Sequence, residues 1–296
     1  TWHESINIAG VHNLPIIFTV QNNQFAYSSP NETEFGTPNV ADRGLGYGIE
    51  SVIIDGNNIY EVINTMHKAR EKANSGQGPT LIELVTFRHY GHAGHDPAEY
   101  VGDEVREFWM DRDPIVRFED SLTRENLFTE KDFTSLAEEI ELEVKETLEW
   151  AKSQEDPNPE EEILDIFQTR QTPVPNNDES NKKTMNFIEA ITNGLDEAME
   201  NNSDVFMMGE DIGAFEGAFK ATKGLHEKYG SNRVLDTPIS EGAFMGAAVG
   251  AALYGKVPIV ELQFFDFVYP ALDQITTEAA KYFWKAGKPV PMVVRG

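Results

Sequence analysis

Residues 50–87 read ESVIIDGNNIYEVINTMHKAREKANSGQGPTLIELVTF, and this stretch decides the fold. Glu50–Asp55 is a short apolar, β-branched run, the composition of a strand. From Asn58 to Ala73 the apolar residues Ile59, Val62, Ile63, Met66 and Ala69 recur at helical spacing. Ser75-Gly76 then stops the helix. Thr80–Phe87 is a strand again. Strands apolar on both faces, joined by a helix, predict a parallel sheet covered by helices.

Working outward, Trp2–Asn13 reads as a helix and Leu14–Gln21 as a buried strand. Asn22–Gly48 is rich in Gly, Pro and Asn and reads as loop. Residues 88–112 form a polar loop with three histidines. Two helices follow, the first opened by Pro114. The second, about Glu130–Ser153, has Leu136, Ile140, Val144 and Leu148 on one face and carboxylates on the other. Residues 154–184 read as a linker, with Pro157, Pro159, Pro173, Pro175, the run Glu160-Glu161-Glu162 and the polar run Asn176–Thr184. The βαβ pattern then restarts. Asn186–Asn201 is a helix, Val205–Glu210 and Val234–Thr237 are strands, and Ser240–Tyr254 is a helix with Ser240 as N-cap. Val257–Gln263 is a strand, Phe267–Ala286 a helix and Val290–Val294 a strand. The architecture expected is two open α/β domains, residues 1–153 and 185–296, joined by a linker over 154–184.

The chain has 296 residues, with 50 acidic against 24 basic, a net charge of −26. Nucleic acid and anionic membrane surfaces are poor partners for such a chain. With no cysteine, disulfides, thiolate metal sites, iron–sulfur clusters and a cysteine nucleophile are excluded. A cytoplasmic location fits. No run reaches the roughly 18 apolar residues of a membrane span; Gly242–Leu253 comes nearest. The sequence opens on Thr1 inside a helical pattern and stops in a strand-like run, so truncation at both ends is expected.

Four segments carry candidate chemistry. In Gln21-Asn22-Asn23-Gln24-Phe25, two asparagines stand where a buried strand ends, the place where doubly wound sheets bind ligands. An Asn side-chain oxygen and a nearby carbonyl suit magnesium, and turn chemistry alone accounts for Asn equally. Arg88-His89-Tyr90-Gly91-His92-Ala93-Gly94-His95-Asp96 follows a strand and suits a phosphate or carboxylate. A metal held by His89, His92 and His95, or a solvated loop, stay open beside it. In Asp236–Gly242, Glu241 heads a helix whose remainder is apolar. Burial there would raise its pKa and make it a proton-handling candidate, whereas a first-turn carboxylate also simply suits the helix dipole. Gly242, Gly246 and Gly250 are expected to let another backbone approach. Gly44-Leu45-Gly46-Tyr47-Gly48 precedes a strand instead of following one, which rejects a dinucleotide fingerprint.

Taken together, the segments HNLPIIFTVQNNQFAYSSP (12–30), GPTLIELVTFRHYGH (78–92), DTPISEGAFMGAAVGAALYG (236–255) and ELQFFDFVYPALDQITTEAAKYFWKAG (261–287) resemble the thiamine-diphosphate-dependent 2-oxo acid dehydrogenases. Residues 1–170 are similar to the C-terminal part of the alpha subunit of the decarboxylating component. Residues 185–296 are similar to the N-terminal part of the beta subunit, with Met185 where a separate beta chain would start. The resemblance implies two thiamine-diphosphate-binding-fold domains fused in one chain. It implies that Asn23, through its side chain, and Phe25, through its backbone oxygen, bind magnesium. Arg88 and His92 would bracket the diphosphate, Glu241 would contact the aminopyrimidine ring, and Gln263 and Phe267 would line the pyrimidine pocket. The family's diphosphate aspartate and glycines would lie just before Thr1, so this piece alone is expected to be inactive.

Three positions depart from the family. Gln21 replaces an Arg of branched-chain relatives, Phe267 lacks a hydroxyl that some relatives carry, and Ala93 stands where animal relatives carry a phosphorylated serine. The activity implied is oxidative decarboxylation of a 2-oxo acid with acyl transfer to a lipoylated acyltransferase. Glu241 and His92 would be the catalytic residues, and fused chains would pair into an alpha2beta2-like homodimer. The run Glu261–Lys281 leans toward 3-methyl-2-oxobutanoate, with pyruvate the alternative substrate and a non-catalytic scaffold the alternative role.

Overall fold

The computed structural model describes residues 2–162, 166–167 and 184–296. It divides into two compact units, Ala9–Glu155 (the first unit) and Thr1–Ile8 with Asp156–Gly296 (the second). Helix α1 (Trp2–Val11) is divided between them. Strand β1 (Ile17–Asn22) starts three residues later than its apolar run, because Leu14 N–H still donates to Ala9 O and Pro15 has no N–H to give a ladder. The loop-rich stretch after it holds a small hairpin of β2 (Phe25–Ala26) and β3 (Ser29–Pro30), a helical turn α2 (Asn31–Glu34) and a 3-10 helix over Ala41–Tyr47. Strand β4 (Glu50–Asp55), helix α3 (Ile59–Asn74) and strand β5 (Thr80–Val85) realise the βαβ unit. Asn58 caps α3, its side-chain oxygen accepting from Glu61 N at 3.4 Å.

The first sheet is parallel in the order β1-β5-β4, with Thr80 level with both Ile17 and Glu50. Burial is deepest on central β5. On one face Ile82 packs with Ile54 and with Val62, Met66 and Ala69 of α3. The expected loop over 88–112 contains a helix, α4 (Asp103–Met110). Two carboxylates in its first turn suit the helix dipole, and Trp109 anchors it, stacked on Phe87 at 5.6 Å. Helices α5 (Pro114–Arg124) and α6 (Glu130–Ser153) follow, and Leu136, Ile140, Val144 and Leu148 of α6 are exposed. Most of the expected linker lies outside the described residues. Within it Pro159–Glu162 forms one helical turn, α7.

In the second unit, α8 (Phe187–Asn201) opens on a capping box between Asn186 and Glu189. Then come β6 (Val205–Gly209), α9 (Leu225–Tyr229), β7 (Val234–Asp236), α10 (Glu241–Leu253) and β8 (Val257–Glu261). The sheet is parallel, in the order β7-β6-β8-β9, with β9 at Val293–Arg295. Leu195 and Met199 of α8 pack with Met207, Val234 and Ile259. By strand alternation Met208 and Val260 turn to the other face, and α10 packs on β6 and β8 with Phe244, Met245 and Ala248 buried.

Three details correct the sequence reading. Ser240 stands at the N-cap position of α10, but its side chain does not cap the helix; its hydroxyl donates to Pro238 O at 3.0 Å. Of the three spaced glycines, Gly246 admits the Gln274 side chain, 2.9 Å from where a Cβ would stand, rather than a backbone, and Gly250 opens on empty space. The single helix expected over Phe267–Ala286 is a 3-10 turn (Phe265–Phe267), α11 (Val268–Asp273), a π-helical turn (Gln274–Ala279) and α12 (Tyr282–Ala286). Among the described residues no helix is long and apolar enough to cross a membrane.

Candidate functional site

Each unit gathers its candidate residues at the carboxyl ends of its parallel strands, where such sheets bind ligands. In the first unit, β1 ends on Asn22, which is buried. Its Nδ2 donates to Glu83 at 2.6 Å, and its Oδ1 accepts from Asn31 Nδ2 at 2.7 Å and Gln24 N at 3.3 Å. The next residue, Asn23, turns its side-chain oxygen onto Phe25 N at 3.2 Å. That is the turn chemistry favoured by asparagine, and one lone pair of the oxygen remains. Phe25 pairs with Pro30, which has no N–H, so its cross-strand partner gives the Phe25 carbonyl no hydrogen bond. Two neutral, hard oxygens therefore stand within one turn, a donor set that fits magnesium. They border a 190 Å³ cavity that Asn31 and Glu34 also line.

Arg88 follows β5, and its guanidinium is spread over protein acceptors. Nη2 donates to Tyr27 O at 2.7 Å and Tyr100 Oη at 2.8 Å, and Nε donates to Tyr90 O at 3.2 Å. Nη1 lies 3.4 Å from His92 Nδ1, so Arg88 and His92 are brought together. The His92 ring also packs on Tyr27 at 4.9 Å. Asp96, which sequence reasoning passed over, organises this loop. It accepts from His92 N at 2.6 Å, Ala98 N at 2.9 Å and the Tyr100 hydroxyl at 2.8 Å. Burial pushes its carboxyl up, but these hydrogen bonds and the Arg88 charge outweigh burial and hold it below the usual range. Gly91 permits the fold of the loop, because a Cβ there would stand 1.9 Å from Asp96 O.

The three histidines diverge. His89 packs edge-on against Phe87 at 5.6 Å, its Nε2 lying 3.9 Å from Asp113, while His92 and His95 are exposed. Among the described residues no three His, Asp or Glu side chains come together as a metal site.

In the second unit, Glu210 and Asp211 follow β6, Glu241 opens α10, and Gln263 and Phe267 follow β8. Glu241 is half-buried, whereas Glu210 behind it is buried, with Oε1 lacking any hydrogen-bond partner. A raised pKa is found at Glu210. Burial pushes it up first, and the Glu241 charge adds to that, against a hydrogen bond from Ser240 N–H. Glu210 was read only as the last residue of the strand Val205–Glu210; its signal was its place at the end of the apolar run Val205–Gly209. Gln263 Nε2 donates to Asp211 at 3.0 Å, and no hydrogen bond among the described residues joins it to Glu241. Phe219, Phe264 and Phe267 form an edge-to-face series at 5.5 and 5.9 Å. A carboxylate at a helix head, an orphaned buried carboxyl oxygen and an aromatic wall fit a polar heteroaromatic ring that exchanges a proton.

Comparison with known proteins divides the chain as its chemistry does. Residues 1–160 match the family described as dehydrogenase E1 component, and residues 183–295 match the transketolase pyrimidine-binding domain. The chain is 35% identical over 178 residues to the pyruvate dehydrogenase E1 component subunit alpha of Bacillus subtilis, covering 60% of this chain and 47% of that protein. It is 49% identical over 113 residues to the 2-oxoisovalerate dehydrogenase subunit beta of the same organism, covering 38% of this chain and 35% of that protein. To the mitochondrial pyruvate dehydrogenase E1 subunit beta of Rattus norvegicus it is 49% identical over 110 residues, 36% of this chain and 31% of that protein. The chain thus spans less than half the length of each of these relatives. An alpha-type and a beta-type segment follow one another in a single polypeptide, and both families bind thiamine diphosphate, typically with a divalent metal. With more than half of its length matched by the family model, and parallel α/β units on either side, the chain belongs to the dehydrogenase E1 component family.

Proposed function

We propose that the chain is part of a fused decarboxylating component of a 2-oxo acid dehydrogenase, acting on 3-methyl-2-oxobutanoate. The observation that carries this reading is the carboxyl pair at the head of α10, with half-buried Glu241 before a buried Glu210 whose pKa is raised. Residues 1–153 form the diphosphate-binding half, 154–184 the linker and 185–296 the pyrimidine-binding half. Thiamine diphosphate, when bound, supplies the carbon nucleophile and the electron sink for loss of carbon dioxide.

The residues of the chain do the rest. Glu241 takes and returns the proton at a ring nitrogen of the aminopyrimidine. Glu210 is the buried carboxyl beside it, its pKa raised first by burial and then by the Glu241 charge. Phe267 and Gln263 wall the ring. Asn23 Oδ1 and Phe25 O hold magnesium, and Arg88 and His92 hold the diphosphate. His92, exposed on its loop, also serves the transfer of the acyl group to the lipoyl arm of a partner acyltransferase. Two fused chains pair as a homodimer in the cytoplasm.

The test is 2-oxo-acid-dependent reduction of an artificial electron acceptor by the full-length protein, with magnesium and thiamine diphosphate. Glu241→Ala is expected to lose about 10²–10⁴-fold in rate, the span of general acid–base catalysis. A variant within a few-fold of wild type overturns the assignment. The same assay ranks 3-methyl-2-oxobutanoate against pyruvate, which the alpha-type relative's name favours. A difference of one or two methylenes is worth only about 1–3 kcal/mol, so measurable turnover of both is expected. A folded protein without cofactor binding would favour a scaffold role.

A further inference from the structure

Glu83 is a carboxylate on the central strand of the first sheet and is wholly buried. Strand alternation turns it away from the Ile82 side that α3 covers. Its two oxygens have separate duties, Oε1 accepting from Asn22 Nδ2 at 2.6 Å and Oε2 from Ala41 N at 2.7 Å. Because Nδ2 of Asn22 faces the carboxylate, Oδ1 faces the other way. There it receives Gln24 N and Asn31 Nδ2. A flipped Asn22 amide would set oxygen against oxygen at Glu83 and turn donors toward Gln24 and Asn31. Gln24 Nε2 closes the turn by donating to Asn22 O at 2.9 Å and Thr86 O at 3.2 Å. The residues enclosed are Asn23 to Phe25.

We propose that Glu83 is a positioning residue for the metal-holding turn: by fixing the Asn22 amide it sets where Asn23 Oδ1 and Phe25 O stand. This rests on the reading of Asn23 and Phe25 as ligands. Partners behind the ligands of a metal site commonly change its affinity about 10–100-fold when removed. Glutamine at 83 keeps the size but presents N–H groups to a neighbour that is itself a donor, Asn22 or Ala41. In the double variant Glu83→Gln/Asn22→Asp, the hydrogen bond is inverted. The new amide donates to the new carboxylate, and the oxygens facing Ala41, Gln24 and Asn31 remain oxygens.

The experiment titrates Mn²⁺ into the full-length protein with thiamine diphosphate, following free Mn²⁺ by electron paramagnetic resonance alongside thermal unfolding. Glu83→Gln is expected to weaken Mn²⁺ binding about 10–100-fold, Asn22→Ala to weaken it similarly, and the double variant to regain most of it. Wild-type affinity in a folded Glu83→Gln overturns the proposal. So does a double variant with restored unfolding temperature but unrestored affinity. If Glu83→Gln does not fold, the double variant and Asn22→Ala carry the test, and unchanged Mn²⁺ binding in Asn22→Ala overturns it. Asn23→Ala separates the two readings. Binding untouched there removes the ligand assignment itself, whereas binding lost there but kept in Glu83→Gln removes only the role of Glu83.

Discussion

Asp96 of the first unit and Glu210 of the second are carboxyls on loops beyond the carboxyl ends of parallel strands, and their surroundings drive them in opposite directions. At Asp96 the push of burial is overcome by two backbone N–H groups, a tyrosine hydroxyl and an arginine. At Glu210 burial is reinforced by two further carboxylates, Glu241 and Asp211, and opposed by a single N–H. A loop that folds its own donors around a carboxyl holds a charge there. A strand end closed by an apolar helix and like charges raises the pKa of its carboxyl. The first suits anchoring, and the second suits transfer.

The body of α10 is what keeps its head dry, so the comparison breaks most visibly there. Phe244 is wholly buried, and Phe244→Ala is expected to cost about 3–5 kcal/mol of stability by denaturant unfolding. A loss below 1 kcal/mol would mean that the helix is no rigid platform. In the loop the corresponding weak point is Gly91. Gly91→Ala forces a methyl onto Asp96 O, with an expected cost of about 1–3 kcal/mol. That cost should surface as faster hydrogen exchange and proteolysis within residues 88–102, with the sheet untouched.

The smallest effects test the signs. A carboxyl raised in the folded state binds protons that the unfolded chain has released, so Glu210 contributes stability that fades as pH rises from the ordinary carboxylate range through its own raised value. Glu210→Gln is therefore expected to gain stability at neutral pH, a gain that shrinks on acidification. A carboxyl lowered in the folded state contributes stability present above its ordinary value and lost as pH falls through the lowered one. Asp96→Asn should then lose stability at neutral pH, a loss that shrinks on acidification. Melting temperatures across that range would give slopes of opposite sign, and parallel slopes would undo the distinction.

Much of this was legible where period and cap chemistry coincide. The βαβ unit over 50–87 needed only apolar spacing and Asn58, and α8 only the spacing from Asn186 to Glu189. Reading was poorer where tertiary contacts override local preference. Helix α4 holds through Trp109 stacked on Phe87, which is distant in sequence, and through Arg106 donating to Ala98 O. Ser240 has the right residue type for a cap but spends its hydroxyl on Pro238. Asn23, Phe25, Arg88, His92 and Glu241 were chosen from motifs. Glu83, Asp96 and Glu210 were not, because what distinguishes them is burial and the number of donors around them, neither of which is written in the order of residues.

The π-helical turn at Gln274–Ala279, marked by Ala280 N donating to Ile275 O at 3.0 Å, holds one residue more than an α-helix of the same rise would. Its spare residue is a stock of chain length inside a helical segment. Deleting one residue there would return the stretch to α-helical pitch and leave the following segment, Tyr282–Ala286, facing nearly as before, whereas the same deletion in a regular α-helix would turn it by about 100°. Between Asp273 and Tyr282 the chain thus carries one residue that could be lost without changing which way Trp284 looks.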